Sequence, residues 1–300
     1  MSAPPFPDKR AVRRSFAGAA NTYDANAFLQ REVADRLFER LEYIKLAPST
    51  VLDLGCGTGT VTKKLAARFP AAQLIGFDLA LPMLAHTRDA MKRPWTERLF
   101  KRGPQMALAC GDAEALPFAT GSFDAIVSSL TLQWCNAERA IVEAARILKP
   151  GGLLMFTTFG PDTLKELKTA FRAIDDQPHV NTFVDMHDLG DMMVAAGLLD
   201  PVMDQEALTL TYTELKPLLQ ELKGIGAHNV LPGRSRGLMG KSRWNAMVEA
   251  YEKFRVDGRL PATYEVVYGH AWKPQVSKQR TRDGTVGISI DDFKRMVTRE

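Results

Sequence analysis

The stretch VLDLGCGTG (51–59) constrains this chain more than any other part of it. An apolar β-like run, TVLDL (50–54), passes directly into Gly55, Gly57 and Gly59, and an amphipathic helical pattern follows through about Phe69. Glycine lets a backbone turn sharply and come close to a ligand with no Cβ in the way. Strand, glycine turn and helix open a nucleotide-binding α/β sheet, and the glycine spacing decides which kind. A nicotinamide or flavin fingerprint, GxGxxG, requires glycine at position 60, where this chain has Thr60. The pattern is instead Asp-x-Gly-x-Gly-x-Gly, with Asp53 ahead of the glycines. A carboxylate there suits a cationic methionine-sulfonium cofactor, S-adenosylmethionine, better than a pyrophosphate.

The rhythm set by that unit continues. QLIGFD (73–78), QMALAC (105–110), FDAIVSSL (123–130) and LLMFTTF (153–159) have strand character, with helical patterns at Leu81–Lys92 and Ala137–Leu148. Alternating strands and helices joined by short Gly/Pro loops imply an α/β fold with a parallel sheet. After residue 160 the rhythm changes. Helices are expected at 162–174, 187–196, 213–223 and 241–256, with strands at 207–212 and 263–272. A long, partly helical insertion before a last strand is where such a fold places a substrate lid. The chain therefore divides into an N-terminal helix (about 9–40), a Rossmann-like core (about 48–160), and lid and last strands (about 161–273). The polar stretch 274–300 is expected to be a mobile tail with one helical turn at 291–298.

Three further marks fall at successive strand ends, the edge along which open α/β sheets bind ligands. Asp78, with Leu79 beside it, closes the second strand, where two carboxylate oxygens can accept both hydroxyls of a ribose. Asp112 and Ala113, in GDAEALPF (111–118), follow the third strand and suit an adenine edge. Ser129 lies in SSLTLQW (128–134), along the expected methionine portion.

The three cysteines and five histidines form no metal-ligand or disulfide pattern, so no metal is assigned. No apolar run approaches the ~20 residues of a membrane-spanning helix. The basic N-terminus MSAPPFPDKRAVRRSF lacks a secretory apolar region, so the expected location is cytoplasmic. A net charge of +4 is too small to argue for nucleic acid, though it suits an acidic protein partner.

VLDLGCGTG, Asp78, GDAEALPF and the LKPGG turn (148–152) resemble class I methyltransferases, which implies a Rossmann-like, mostly parallel seven-stranded sheet flanked by helices with a late helical lid. SFAGAANTYDANAFLQREVADRL (15–37), SSLTLQWC (128–135), FTTFGPDTLKEL (156–167), LKGIGAHNVLPGR (222–234) and PATYEVVYGHAW (261–272) resemble more closely the malonyl-[acyl-carrier-protein] O-methyltransferases of biotin synthesis. The resemblance runs from about residue 9 to 273. It implies methyl transfer from S-adenosylmethionine to the free carboxylate of a malonyl group on acyl carrier protein.

A carboxylate is already ionised at pH 7, so no general base is required, and positioning carries the reaction. An arginine fork suits its recognition. Arg234 is the first candidate and Arg236 the second. The resemblance places Tyr23 over the cofactor, with Gln30 also facing it, and Trp134 and Phe159 as pocket walls. An acidic carrier protein needs a basic face. Lys9, Arg10, Arg13 and Arg14, or Lys241 and Arg243, are the candidates. Two other enzymes are compatible with parts of the sequence. One is a protein-modifying assembly factor like the complex I arginine hydroxylases, which share the FGxDTLxEL and PATY features. The other is a small-molecule methyltransferase, which would need a base that the sequence does not reveal. A non-catalytic scaffold has no need of the intact acidic and glycine positions.

Overall fold

The computed structural model describes residues 7–92, 105–231, 237 and 239–275, with the backbone of 279–280 and 286–287. One seven-stranded sheet organises them, in the order β3-β2-β1-β4-β5-β7-β6. Its strands are β1 (Thr50–Leu54), β2 (Gln73–Asp78), β3 (Met106–Cys110), β4 (Phe123–Ser129), β5 (Leu148–Phe159), β6 (Leu199–Tyr212) and β7 (Leu260–Trp272). The first five are parallel, and β7 runs antiparallel between β5 and β6.

The sheet is buried on both faces because successive side chains alternate sides. Val51, Val127 and Met155 join one core cluster, while Leu52, Ile126 and Leu154, each next to one of them along its strand, join the other. The first face is covered by α3 (Phe28–Glu42), α4 (Thr60–Arg68) and α7 (Lys165–Arg172), and the second by α6 (Ala137–Ile147) and α8 (Met186–Ala195). The helix α5 (Leu81–Ala90) follows β2, and α9 (Leu215–Gly224) and α10 (Lys241–Glu252) lie between the last two strands.

Three differences from the sequence expectations have local causes. The N-terminal helix expected over 9–40 is three pieces: α1 (Lys9–Ala19), α2 (Tyr23–Asn26) and α3. At the first break Thr22 donates its hydroxyl to Ala19 O (3.1 Å) and Gly224 O (2.8 Å). A threonine bonded back to a helix carbonyl competes with helix continuation. Second, the helix expected from 162 begins at Lys165, because Leu164 holds a left-handed φ of 55°. Third, β6 starts at Leu199 rather than near 207, with a register shift between Leu199 and Val202 and Pro201 on this outer strand. An edge strand tolerates proline because its outer side needs no ladder donor.

In the tail, the backbone of Gln279–Arg280 pairs with Val286–Gly287. The helical turn expected at 291–298 lies outside the described residues. No helix among the described residues is long and apolar enough to cross a membrane.

Candidate active site

The turn after β1 builds the site. Gly55, Gly57 and Gly59 have φ of +80°, +54° and +95°, a region that costs other residues about 1–2 kcal/mol. A Cβ at Gly55 would also overlap the side chain of Thr131. Gly55 and Cys56 both donate to Phe77 O (2.7 and 3.0 Å), which ties the turn to the end of β2. There Asp78 accepts from Gly57 N (2.9 Å) and Ala80 N (2.8 Å), so its carboxylate is fixed in orientation. Gly55, Gly57, Asp78, Leu79, Asp112, Ala113 and Ser129 all border one cavity of about 610 Å³ at the carboxyl ends of the strands.

Asp53 lies beneath this cavity rather than in its lining. It is 2% exposed and accepts from Thr62 Oγ1 (2.6 Å) on Oδ2, while Oδ1 has no partner. Burial lifts its carboxyl to about 7 against the hydrogen bond from Thr62, and the charge of Asp78 adds to the rise. Burial also raises the Asp78 carboxyl, with the backbone donors opposing. Two carboxyl groups short of water beneath and beside a cavity favour a cationic ligand. Asp78, held by two amides, keeps further lone pairs for ribose hydroxyls, so the residues present fit S-adenosylmethionine.

A second, larger space of about 1240 Å³ adjoins the first. Phe16, Tyr23, Leu130 and Trp134 border both. Phe16 meets Trp134 edge-to-face at 5.1 Å, bringing α1 against the segment after β4. Apolar and aromatic side chains such as Leu29, Phe159, Leu167 and Tyr264 dominate the larger chamber. Two histidines border it, His179 and His228, and His228 is held below the usual imidazole range by burial and then by Lys223, so it is neutral at pH 7.

The sequence-derived residues are placed differently. Gly55, Gly57, Asp78, Leu79, Asp112, Ala113 and Ser129 meet at the smaller cavity, and Tyr23 stands between the two spaces. Burial raises the Tyr23 phenol, with Asp78 and Asp24 adding to the rise, so the hydroxyl stays protonated. Gln30 borders the larger chamber and not the smaller, and its buried Oε1 has no partner. Gly59, at the start of α4, borders neither. Arg234 and Arg236 lie outside the described residues.

Several site contacts are invisible in the sequence. Lys9, a docking candidate on sequence grounds, instead bridges Asp112 (2.9 Å) and Glu114 (2.8 Å) and borders the cofactor-sized cavity. Arg243, from the same set, is paired with Asp175. Asp24 accepts from Thr58 Oγ1 (2.6 Å), clipping α2 to the glycine turn. The apolar spacing of Val12 and Phe16, beside the resemblance that places Tyr23 over the cofactor, is the sequence signal that this N-terminal segment packs inward.

The strand order, the antiparallel β7 and a glycine-turn cavity edged by Asp78 and Asp112 define a class I S-adenosylmethionine-dependent methyltransferase. Residues 52–156 match the family described as Methyltransferase domain. The chain is 54% identical over 282 residues to the malonyl-[acyl-carrier protein] O-methyltransferase of Gallionella capsiferriformans, which covers 94% of this chain and 96% of the relative. It is 53% identical over 290 residues to that of Laribacter hongkongensis, covering 96% of each. This chain belongs to the malonyl-[acyl-carrier protein] O-methyltransferase family. The solved structure of the [4+2]-cyclase SpnF superposes with a TM-score of 0.57 at 22% identity, covering 91% of this chain and 99% of the other. That likeness is one of fold, and the different reaction named for SpnF shows why the site must carry the chemistry.

Proposed function

We propose that this chain methylates the free carboxylate of a malonyl thioester borne by acyl carrier protein, giving the methyl ester that primes pimeloyl formation in biotin synthesis. The observation that carries this reading is the meeting of a cofactor-sized cavity and a larger apolar chamber at Phe16, Tyr23, Leu130 and Trp134, in a chain of this family. S-adenosylmethionine supplies a methyl group on a sulfonium, which an ionised carboxylate oxygen takes without a base. The residues then have positioning roles. Asp78 and Leu79 hold the ribose, Asp112 and Ala113 the adenine edge, and Gly55, Gly57 and Ser129 the methionine portion, with Gly59 shaping the turn that carries them. Asp53 supports the cationic centre from below.

Tyr23, a protonated phenol on the shared wall, orients the carboxylate through its hydroxyl, with Gln30 beside it in the chamber. Arg234 grips the carboxylate as a planar fork. Opposite charges disappear as carboxylate and sulfonium become ester and thioether, so the apolar chamber favours the reaction over separated, hydrated ions. The segment 161–231, which contributes much of the chamber, serves as the lid. The expected location is the cytoplasm, and the partner is the carrier protein.

The test is a mass-spectrometric assay with S-adenosylmethionine and malonyl-, succinyl- and acetyl-carrier proteins. A methyl-mass gain confined to the malonyl form, and lost in Arg234→Ala with cofactor binding intact, is the expected result. Cofactor binding with no gain on any carrier would refute the substrate while leaving the class untouched.

A further inference from the structure

A third space, of about 950 Å³, shares Phe171, His179, Val180, Asn181 and Phe183 with the larger chamber and so forms a mouth to it. Two cations border it, Lys168 and Arg172, one turn apart on α7. Like charges at this spacing repel on a helix by about 0.2–0.5 kcal/mol unless something offsets them. Here little does. The Lys168 ammonium donates to Pro161 O (2.7 Å) and lies 5.0 Å from the Phe183 ring centroid, with no carboxylate in ion-pair range among the described residues. The Arg172 guanidinium has no hydrogen bond or ion pair among the described residues, and Asp176 is the one acidic residue among those bordering the mouth. Burial holds the Lys168 ammonium below its usual range. Asp162 and Glu265 oppose that fall, and Arg172 adds to it.

Two of the other basic residues suited to docking are already used. Lys9 is bound to Asp112 and Glu114, and Arg243 to Asp175. Two poorly compensated cations therefore stand where a ligand would enter a long apolar chamber that ends at the cofactor cavity. A thioester on a phosphopantetheine arm has the matching shape and charge: a slender arm with its acyl group at one end and a phosphate at the other.

We propose that Lys168 and Arg172 form a phosphate-binding site at the mouth, which seats the arm's phosphate while the acyl end reaches the cofactor. This rests on the proposed thioester substrate, and the phosphate is common to carrier protein and coenzyme A.

Binding measurements separate this inference from the activity. Enzyme saturated with S-adenosylhomocysteine is titrated by calorimetry with 4′-phosphopantetheine and with pantetheine. Wild type should bind the phosphorylated arm about tenfold tighter, as two charge-assisted contacts allow. Lys168→Gln/Arg172→Gln should lose that difference while still binding pantetheine and S-adenosylhomocysteine normally. Lys168→Arg, which keeps the charge, should retain it. Equal binding of the two arms by wild type, or a preference that survives in the double variant, overturns the proposal.

In turnover, the double variant should raise KM about tenfold for malonyl-carrier protein and for malonyl-coenzyme A, with kcat little moved. Carrier protein lacking its arm serves as a competitor. If the double variant loses inhibition by this armless carrier, the cations recognise the carrier's surface and the phosphate assignment falls. Failure of wild type to methylate any malonyl thioester would count against the substrate alone, because the titrations need no turnover.

Discussion

Asp53 embodies a conflict at residue scale: it is a carboxyl group placed for a cation yet cut off from water. Its folded pKa of about 7 lies above the ordinary 3.8. Between those values the native chain keeps a proton that the unfolded chain releases. Stability from this group therefore falls as pH rises through that window and is level above it. Asp53→Asn keeps an acceptor for Thr62 and removes the titration. Relative to wild type, it should gain about 2–4 kcal/mol between roughly pH 4 and pH 8, read from urea unfolding of the cofactor-free protein. Identical pH dependence in the two proteins would show that Asp53 is not the group responsible. The sequence reveals that an acid precedes the glycines, but its pKa depends first on burial and then on Thr62 and Asp78, all of which folding supplies.

At the scale of elements, α7 is anchored by one buried carboxylate. Glu166 accepts from Thr263 N (3.0 Å) and Thr263 Oγ1 (2.5 Å), joining the helix to β7 across 97 positions of sequence. Glu166→Ala leaves a buried amide and a hydroxyl unpaired, a loss of about 2–4 kcal/mol. Chemical denaturation should show that loss with little change in m-value. A change under about 0.5 kcal/mol would mean that water replaces the carboxylate.

Elements with a strong apolar pattern are legible in the amino-acid sequence alone. The first four parallel strands fall where their apolar runs place them, whereas β5 begins at Leu148, five residues before the expected 153. The first half of β6, DPVMDQE (200–206), is not legible in this way, because its polar side chains face outward on an edge. Glu206 and Asp204 there meet Arg36 and Arg40 of α3 instead. The break between α1 and α2 is equally hidden, since Thr22 finds its partner at Gly224.

Across the whole molecule, the sheet and the helical cover contribute differently. The two large core clusters draw no residue from α1, whose buried residues are Ala11, Val12 and Ala19. Deleting residues 1–22 should therefore leave cooperative unfolding and a thermal midpoint within about 5 °C of wild type. Affinity for S-adenosylhomocysteine by calorimetry should drop at least about tenfold, because Phe16 and the Lys9 bridge over Asp112 are lost. Collapse of the fold would instead make the N-terminal helices part of the core. The parallel part of the sheet can be anticipated from the alternation of strands and helices. The adjoining cavities cannot, because their common wall is assembled from residues as distant as Phe16 and Trp134.

That wall has a thermodynamic consequence. Phe16 and Tyr23 come from short N-terminal helices and touch both spaces, so a ligand that settles these rings in one space prepares them for the other. Such coupling is reciprocal: whatever factor the cofactor adds to acyl-substrate affinity, the acyl substrate returns to the cofactor. The two ligands are thus held as a pair, and departure of either product loosens the other.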